Sequence, residues 1–308
     1  MNTDFNIFIK ALVTEANKNT ITRTMELETA LETFINFKKN KVRTATIEYY
    51  RKQLKEIFIF LKNSNVKSTQ DITRNLLIQF QHQQLNKGLK PQTINKRTTC
   101  LITMLKELSE LELISYDPIN LKTLNVKQTT IEVVESHNIP RILNYANTLN
   151  SNANLLLKLL ITSGIRTSEV IQIKNKNIFI KDKYILLEHT KSGYERILPL
   201  VEDIIPLLEQ VKSNRVYLFS NTEETHFKPS FVRSIIARTK KALNIEVLSA
   251  HKLRHSFATF HCKNGTNLKV LQELLGHRSI LMTQRYIDLS KEDLISANNK
   301  CNLINHFK

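Results

Sequence analysis

The sequence of 308 residues has no tryptophan and few of the residues that interrupt regular structure. It contains only five glycines and six prolines, and this scarcity favours long helices over an all-β architecture rich in turns. The N-terminus carries no long apolar run, and no segment approaches the roughly 20 apolar residues that a membrane-spanning helix requires. We therefore expect a mainly helical protein that does not enter a membrane.

Cysteine is also scarce. Cys100, Cys262 and Cys301 are odd in number and far apart in the sequence, so they predict neither a disulfide framework nor a C-x-x-C zinc site. Free cysteines are typical of a reducing compartment. Together with the lack of an apolar segment, they predict a cytoplasmic protein.

Acidic residues are too few to balance the basic ones. The sequence has 45 Lys and Arg against 28 Asp and Glu, a formal net charge of +17. The basic residues are spread through patterned segments, which favours a folded surface that follows a phosphate backbone over a disordered basic tail. Charge alone leaves a second explanation open, because an A·T-rich coding sequence would enrich lysine, asparagine and isoleucine without any function.

The length predicts two domains, and 41% apolar residues are enough for two cores. We expect an N-terminal arm over residues 1–25, a helical domain over 26–119, an extended polar linker over 120–136 and a second domain over 137–308, whose C-terminal tail begins at about residue 291. Apolar residues at helical spacing predict helices over 26–37 and 44–61, and a third helix that runs from Asp71 as N-cap to about residue 85.

The next helix begins at Pro91, and its first turns are basic and rich in amides. Such a helix suits a DNA groove, because Gln and Asn can bond adenine edges and Lys can meet phosphate. A solvated polar face is the alternative for each member taken singly. The candidate DNA-binding residues are Lys90, Gln92, Asn95, Lys96 and Arg97.

The second domain mixes helices with short strands. Helices are predicted over 139–149, 153–162, 203–212 and 229–243, and three more follow up to Tyr286. Strands are predicted over 177–180, 184–188, 195–199 and 216–219, with a turn at 191–193 between the second and third. The fold class is therefore mainly α, with a small antiparallel sheet in the second domain.

Three residues of one segment can share a helix face. His251, Arg254 and His255 stand at i, i+3 and i+4. Two histidines at this spacing can bind zinc, but a cation stands next to the second and no carboxylate or thiolate lies between them. A role directed at phosphate is the better interpretation, and we expect no metal. We predict His255, which precedes an apolar face, to be a structural side chain that bonds to the backbone.

A second arginine lies far upstream in the sequence. Arg166 follows Gly164 at the end of an apolar helix, where its planar fork can be aimed at two phosphate oxygens. Glu169, three residues later, can fix the conformation of that arginine. A plain surface arginine is the alternative.

Four motifs, GIRTSE, TKSGYERILPL, HKLRHSFAT and LGHRSILMTQRY, occur in this order over residues 163–288. Together they resemble the tyrosine recombinases, the family of phage integrases and Xer-type resolvases. The resemblance implies a helical SAM-like core-binding N-terminal domain, an α+β catalytic domain, and site-specific recombination of DNA through a 3′-phosphotyrosine intermediate. It also implies these roles: Tyr286 as nucleophile, Arg166 and Arg254 as phosphate-binding arginines, Lys191 as the acid for the leaving 5′-oxygen, His251 as the proton-transfer histidine, His277 as a phosphate ligand and Glu169 as their support.

Elementary chemistry agrees with these roles. A tyrosine with an ordinary pKa of about 10 needs a proton acceptor and nearby cations to react at neutral pH, and fixed arginines stabilise the charge of the transition state. We expect no cofactor. Tyr194, near Lys191, is the competing nucleophile, but a DNA contact or a plain surface position suits it better.

The resemblance also implies partners. These are double-stranded DNA with a specific recombination site and a homo-tetramer assembled on it, with an accessory DNA-bending protein or partner recombinase as a further candidate. The tail after residue 291 is a candidate for docking on a neighbouring protomer, with packing on its own subunit as the alternative. Two other classes stay open, a DNA-relaxing enzyme of the type IB topoisomerase kind and a catalytically silent DNA-binding protein, although the complete residue set argues against the silent one.

Overall fold

The structure is a computed structural model that describes residues 23–116, 119–126, 131–188 and 195–287. The predicted positions Lys191 and Tyr194 and the tail from residue 291 lie outside these ranges. The chain divides into two compact units, Met1–Gln128 and Thr129–Lys308. None of the helices within the described ranges is long and apolar enough to cross a membrane.

The first unit packs helices around one apolar core. Its helices are α1 (Leu27–Lys39), α2 (Thr44–Asn63), α3 (Arg74–Asn86) and α4 (Pro91–Glu110). Their buried faces recur at the three- and four-residue spacing that the sequence predicts. The largest fully buried side chains of the core include Phe34, Leu54, Phe80 and Met104.

One helix start differs from the prediction. The N-cap of α3 is Thr73, whose Oγ1 accepts the amide of Leu76 at 3.3 Å. Asp71 instead closes a capping box with Ser68 around the short 3₁₀ turn Thr69–Asp71. The prediction failed because an aspartate can cap a short turn as well as a helix.

Residues 120–126, the described start of the predicted linker, lie along the first unit. Arg74 Nε donates to the carbonyl of Asn120 at 3.0 Å, and Gln81 Nε2 donates to that of Lys122 at 3.2 Å. The amide of Asn95 makes two bonds to the main chain of Leu124, which are 2.8 and 2.9 Å long. Side chains of α3 and α4 therefore satisfy the main chain of a segment that has no regular structure of its own.

Where the structure describes it, the second unit is helical apart from one small sheet. Its helices are α5 (Asn138–Ala146), α6 (Ser151–Ser163), α7 (Thr167–Val170), α8 (Ile205–Val211), α9 (Pro229–Leu243), α10 (Ala250–Lys263), α11 (Leu268–Leu275) and α12 (Ile280–Gln284). Strands β1 (Ile178–Phe179), β2 (Tyr184–Leu187) and β3 (Arg196–Pro199) pair antiparallel in the order β1-β2-β3. Ile185 of β2 is opposite Leu198 of β3, and both side chains are buried in the core.

The prediction of a strand over 216–219 is wrong. Tyr217 forms a single antiparallel bridge with Lys174, and the amide of Leu218 donates to the carbonyl of Ile173 at 2.8 Å. Leu218 and Phe219 are buried, which explains the strand-like apolar pattern. The segment pairs with a loop that is too short to continue a ladder.

Candidate active site

Helix α10 carries three of the predicted site residues. It begins after Ser249, whose Oγ accepts the amide of Lys252 at 3.1 Å. Arg254 faces inward with 3% of its surface exposed, His255 is half-buried and His251 is exposed. The helix therefore presents a histidine at the surface and an arginine in the interior, separated by less than one turn.

The C-terminus of α11 binds three arginines. Arg254 Nη2 donates to the carbonyl of Leu275 at 2.6 Å, and Arg166 Nη2 donates to that of Gly276 at 2.8 Å. Arg196 Nη1 donates to the carbonyl of Leu274. The last carbonyls of a helix have no partner within it and carry its partial negative charge, so they orient three cations at one place.

Glu169 connects two of these arginines. Its Oε1 accepts Arg166 Nη1 at 2.8 Å and its Oε2 accepts Arg196 Nη2 at 2.8 Å. The carboxylate side chain is 1% exposed, and that of Arg196 is 7% exposed. Burial alone would raise the pKa of Glu169, but Arg196 and Arg166 outweigh it and hold that pKa below its ordinary value. Glu169 pairs with Arg166 and Arg196, and Arg254 adds a third guanidinium held on main-chain carbonyls, so the cluster has an excess of positive charge.

Two left-handed glycines allow this packing. Gly164 (φ +58°) ends α6, and its carbonyl accepts Arg254 Nη1 at 2.7 Å. Gly276 (φ +63°) ends α11, and a Cβ there would lie 2.7 Å from Cδ and 2.8 Å from Nε of Arg196. A glycine is therefore required at position 276 for two reasons: the backbone is left-handed there, and the side chain of Arg196 leaves no room for a Cβ.

Tyr286 follows α12 and is 9% exposed. Its hydroxyl lies 2.7 Å from Nδ1 of His255. Its ring is nearly parallel to that of His277, with the centroids 6.4 Å apart. Burial raises the pKa of Tyr286, although Arg254 and Arg166 act in the opposite direction. The hydroxyl is therefore protonated at neutral pH.

Two hydrogen bonds fix His277, one at its ring and one at its main-chain carbonyl. Its Nδ1 lies 2.8 Å from Oγ1 of the buried Thr283, and its carbonyl accepts Gln272 Nε2 at 2.9 Å. Burial, followed by the charges of Arg254, Arg166 and Arg196, lowers its pKa to about 4. The imidazole of His277 is neutral at pH 7, because the surrounding arginines disfavour a further cation.

The arginines of the cluster also change the pKa of one of their own members, Arg254. Burial, and then the charges of Arg166 and Arg196, lowers the pKa of Arg254 to about 9. This value is well above neutrality, so Arg254 stays charged at pH 7. Within the described ranges, no three His, Cys, Asp or Glu side chains are grouped as metal ligands would be.

The structure brings Arg166, Glu169, Arg254, His277 and Tyr286 into one connected cluster. His251 stands at its exposed side, with its ring 4.2 Å from that of His255 between centroids. Lys191 follows β2 in the sequence and lies outside the described residues.

Two sequence interpretations need correction. His255 was expected to bond to the backbone, but its Nδ1 bonds to Tyr286 instead. Asn95 was expected to bind DNA, but both polar atoms of its amide are bonded to the main chain of Leu124. Of the other DNA-binding candidates, Lys90, Gln92 and Lys96 are exposed, whereas Arg97 is half-buried and its Nη1 donates to Gln84 at 2.6 Å.

Sequence reasoning missed Arg196. A signal for it exists, because Leu198 and Leu200 are buried at alternate positions and a two-residue period places Arg196 on the same face. A buried arginine in a strand needs an anionic partner, and Glu169 is that partner.

Comparison with known proteins follows the same two units. A model of the phage integrase family matches residues 132–293, and a model of the phage integrase N-terminal SAM-like domain matches residues 32–109. The chain is 27% identical over 286 residues to tyrosine recombinase XerD of Oceanobacillus iheyensis, and the aligned region covers 87% of this chain and 96% of the relative. It is 26% identical over 211 residues to tyrosine recombinase XerA of Pyrococcus horikoshii, and that aligned region covers 66% of this chain and 73% of the relative.

A solved structure shows the same fold. The integrase of transposon Tn1549, in complex with transposon right-end DNA, has a TM-score of 0.73 and covers 90% of this chain and 99% of that chain, at 17% identity. The predicted fold class, mainly helical with a SAM-like N-terminal domain and a small antiparallel sheet, is confirmed. Because the integrase family model alone spans more than half of the sequence, the chain belongs to the phage integrase family, the tyrosine recombinases that cleave and rejoin DNA at specific sites.

Proposed function

We propose that this recombinase cleaves DNA with Tyr286, which attacks the scissile phosphate and leaves a 3′-phosphotyrosine and a free 5′-hydroxyl. The observation that supports this most is the position of a buried tyrosine whose hydroxyl feels the charges of Arg254 and Arg166, while Glu169 holds Arg166 in place. The covalent bond conserves the energy of the phosphodiester, so the strand can be rejoined without another energy source.

Arg166 and Arg254 bind the two non-bridging oxygens of the phosphate. Their guanidinium groups are held on consecutive carbonyls at the end of α11, so little reorganisation is needed when charge develops in the transition state. His277, which is neutral, is a further hydrogen-bond partner for the phosphate. Glu169 positions Arg166 and does not touch the DNA.

Lys191 protonates the departing 5′-oxygen. It stands between β2 and β3 in the sequence, and the first residue of β3, Arg196, is bound to Glu169. The strand that follows the lysine in the sequence is thereby held by the residue that positions Arg166. His251, exposed at the start of α10, is the proton-transfer histidine, the role that the family resemblance implies for it.

DNA contacts of the first unit come from the first turns of α4. Lys90, Gln92 and Lys96 are exposed there and suit phosphate and base-edge contacts. A lysine that meets phosphate adds to the salt dependence of binding and carries no sequence information.

The partner is double-stranded DNA that carries a specific recombination site, and four protomers act together on two such sites. The tail after residue 291 docks on a neighbouring protomer, and an accessory DNA-bending protein or partner recombinase completes the assembly. Access to DNA places the enzyme in the cytoplasm. Unchanged assembly on DNA after deletion of the tail would contradict the docking role.

The test is a suicide substrate, a recognition site with a nick beside the cleaved bond so that the released strand is lost. We expect a covalent protein–DNA adduct with the wild type and none with Tyr286→Phe, whereas Tyr217→Phe, whose ring meets that of His226, forms adduct normally. An adduct that persists in Tyr286→Phe would refute the nucleophile, and Tyr194→Phe would then identify the competitor.

Exchange is separated from relaxation by a second assay. Two sites on one supercoiled plasmid give recombinant product with a recombinase, but only topoisomers with a type IB topoisomerase. The names of the relatives, XerD and XerA recombinases, favour exchange.

A further inference from the structure

We propose that Arg196 is a positioning residue for DNA cleavage, because it neutralises Glu169 and so leaves the charge of Arg166 available to the scissile phosphate. This inference rests on the proposed function, since it concerns the arginine that binds the phosphate there. It gives a role in the reaction to a strand residue for which the family resemblance implies none.

Arg166 and Arg196 are held by the same two anchors. One is the carboxylate of Glu169, whose Oε1 accepts Arg166 Nη1 and whose Oε2 accepts Arg196 Nη2, both at 2.8 Å. The other is the end of α11, where Arg166 donates to the carbonyl of Gly276 at 2.8 Å and Arg196 donates to that of Leu274. Each arginine binds one oxygen of the carboxylate, so a shift of Glu169 displaces Arg166.

The two arginines differ in their access to a substrate. The side chain of Arg196 is 7% exposed, whereas that of Arg166 is 19% exposed. A Cβ at position 276 would lie 2.7 Å from Cδ of Arg196, so this side chain is packed tightly against the main chain. Arg166 is therefore the one that can reach a phosphate, and Arg196 acts on the reaction through Glu169.

The balance of charge explains what Arg196 contributes. Burial raises the pKa of Glu169, and of the two arginines that lower it Arg196 has the larger effect. Two guanidinium groups against one carboxylate leave one positive charge, and it belongs to the more exposed Arg166. Without Arg196, Arg166 alone would balance the buried carboxylate. That pair would present no net charge to the phosphate, although negative charge develops there in the transition state.

The test measures single-turnover cleavage of two suicide substrates by the full chain. One has the natural phosphodiester. In the other a methyl group replaces one non-bridging oxygen of the scissile phosphate, so the group is uncharged and needs less cationic stabilisation. Arg196→Met removes the charge and keeps a long side chain. Arg166→Ala calibrates the loss of an arginine that touches the phosphate, and the methylphosphonate should largely relieve it.

We expect Arg196→Met to slow cleavage of the phosphodiester by about 10²-fold, as a misplacement of about 1 Å does, but that of the methylphosphonate by less than about tenfold. Equal losses on the two substrates would show that Arg196 supports only the fold, and would overturn the proposal. If the wild type formed no adduct, or if Arg166→Ala lost equally on both substrates, the proposed function would fail, and the role of Arg196 with it.

A third substrate tests the alternative that Arg196 acts through Lys191, which precedes it in the sequence. It carries a 5′-bridging sulfur, whose thiolate leaves without an acid, and it should rescue Lys191→Ala. Arg196→Met should lose as much on the sulfur substrate as on the phosphodiester. Relief by sulfur and not by the methyl group would assign Arg196 to the leaving group and overturn the proposal.

Arg141 provides the matched control. It makes bonds of the same kind elsewhere in the second unit, since Nη1 donates to Asn138 Oδ1 at 2.6 Å and Nη2 donates to the carbonyl of Leu243, at the end of α9, at 2.7 Å. Arg141→Met should therefore cleave both substrates in the wild-type ratio. A selective loss on the phosphodiester in this variant too would attribute the effect to general loosening and contradict the role of Arg196.

Arg196→Lys covers the case in which Arg196→Met does not fold. Lysine keeps the positive charge beside Glu169 but lacks the planar fork that binds Glu169 and the carbonyl of Leu274 together. We expect a loss of less than about tenfold on the phosphodiester, below that of a full misplacement. A loss as large as that of Arg166→Ala would refute the claim that the charge of Arg196 is what the reaction requires.

Discussion

Gly276→Ala should destabilise the protein far more than the same change at Gly265. Both glycines have a left-handed backbone, with φ of +63° and +73°, so an alanine at either position costs about 1–2 kcal/mol in strain. The space around them differs. A Cβ at Gly265 meets nothing within 4 Å, whereas one at Gly276 would lie 2.7 Å from Cδ of Arg196.

The additional cost comes from the ion pair that Arg196 makes. Moving this side chain separates it from Glu169, with which it shares a bond of 2.8 Å while both side chains are buried. Breaking a buried pair costs about 3–5 kcal/mol, because the remaining charge is left without its partner. Since a unit of 150–250 residues loses about 2–4 °C per kcal/mol, the difference between the two variants should be on the order of 10 °C.

Thermal unfolding followed by circular dichroism measures both variants in the full chain. Single-turnover cleavage below the melting temperature is the second readout, and Gly276→Ala should also lose rate because Arg166 donates to the carbonyl of residue 276. Equal melting temperatures for the two variants would refute the argument that Arg196 requires a glycine beneath it.

Three further predictions follow from the same contacts. Glu169→Gln should lower the free energy of unfolding by about 3–5 kcal/mol, because it leaves two arginines without their carboxylate, as urea titration would measure. Asn95→Ala should cost about 1–3 kcal/mol and accelerate hydrogen exchange at the amide of Leu124, which bonds to Asn95 Oδ1. The free energy of unfolding should fall as pH drops from about 6.5 to 4, because His255 and His277, with pKa values lowered to about 4, stay neutral in the fold while the unfolded chain takes up protons.

Matched controls isolate each effect. Glu273→Gln removes an exposed ion pair with Lys269 and should change stability by less than about 1 kcal/mol. Asn36→Ala removes an exposed hydrogen bond to Lys39 and should leave the exchange of Leu124 unchanged. Equal effects of Glu169→Gln and Glu273→Gln, or a flat pH profile between 6.5 and 4, would contradict the buried cluster.

Helices were predictable because their buried side chains repeat in the sequence. The helix expected over 229–243 is Pro229–Leu243 in the structure, since Pro229 marks its first turn and an apolar stripe fixes its length. Arg166, Arg254, His277 and Tyr286 were predicted from short motifs and from the family that these motifs resemble. Their convergence on the end of α11 depends on tertiary packing.

The hydrogen-bond partners of several side chains cannot be predicted from the sequence around them. Asn95 looks like a DNA-reading residue from its neighbours, but its partner is the main chain of Leu124, 29 positions away. His251 and His255 share a helix face, and only the packing of the segment after α12 decides which ring meets Tyr286. Sequence patterns identify the residue types of a site more readily than the hydrogen bond that each one makes.

The central claim, that Tyr286 is the nucleophile, is tested most directly by locating the DNA on the protein. The adduct formed on a suicide substrate is digested with nuclease and trypsin, and the peptide that retains nucleotide is sequenced by mass spectrometry. Cleavage after Arg285 places Tyr286 in the peptide YIDLSK, whereas Tyr194 falls in SGYER. The account predicts nucleotide on YIDLSK, and nucleotide on SGYER or on any other peptide would contradict it.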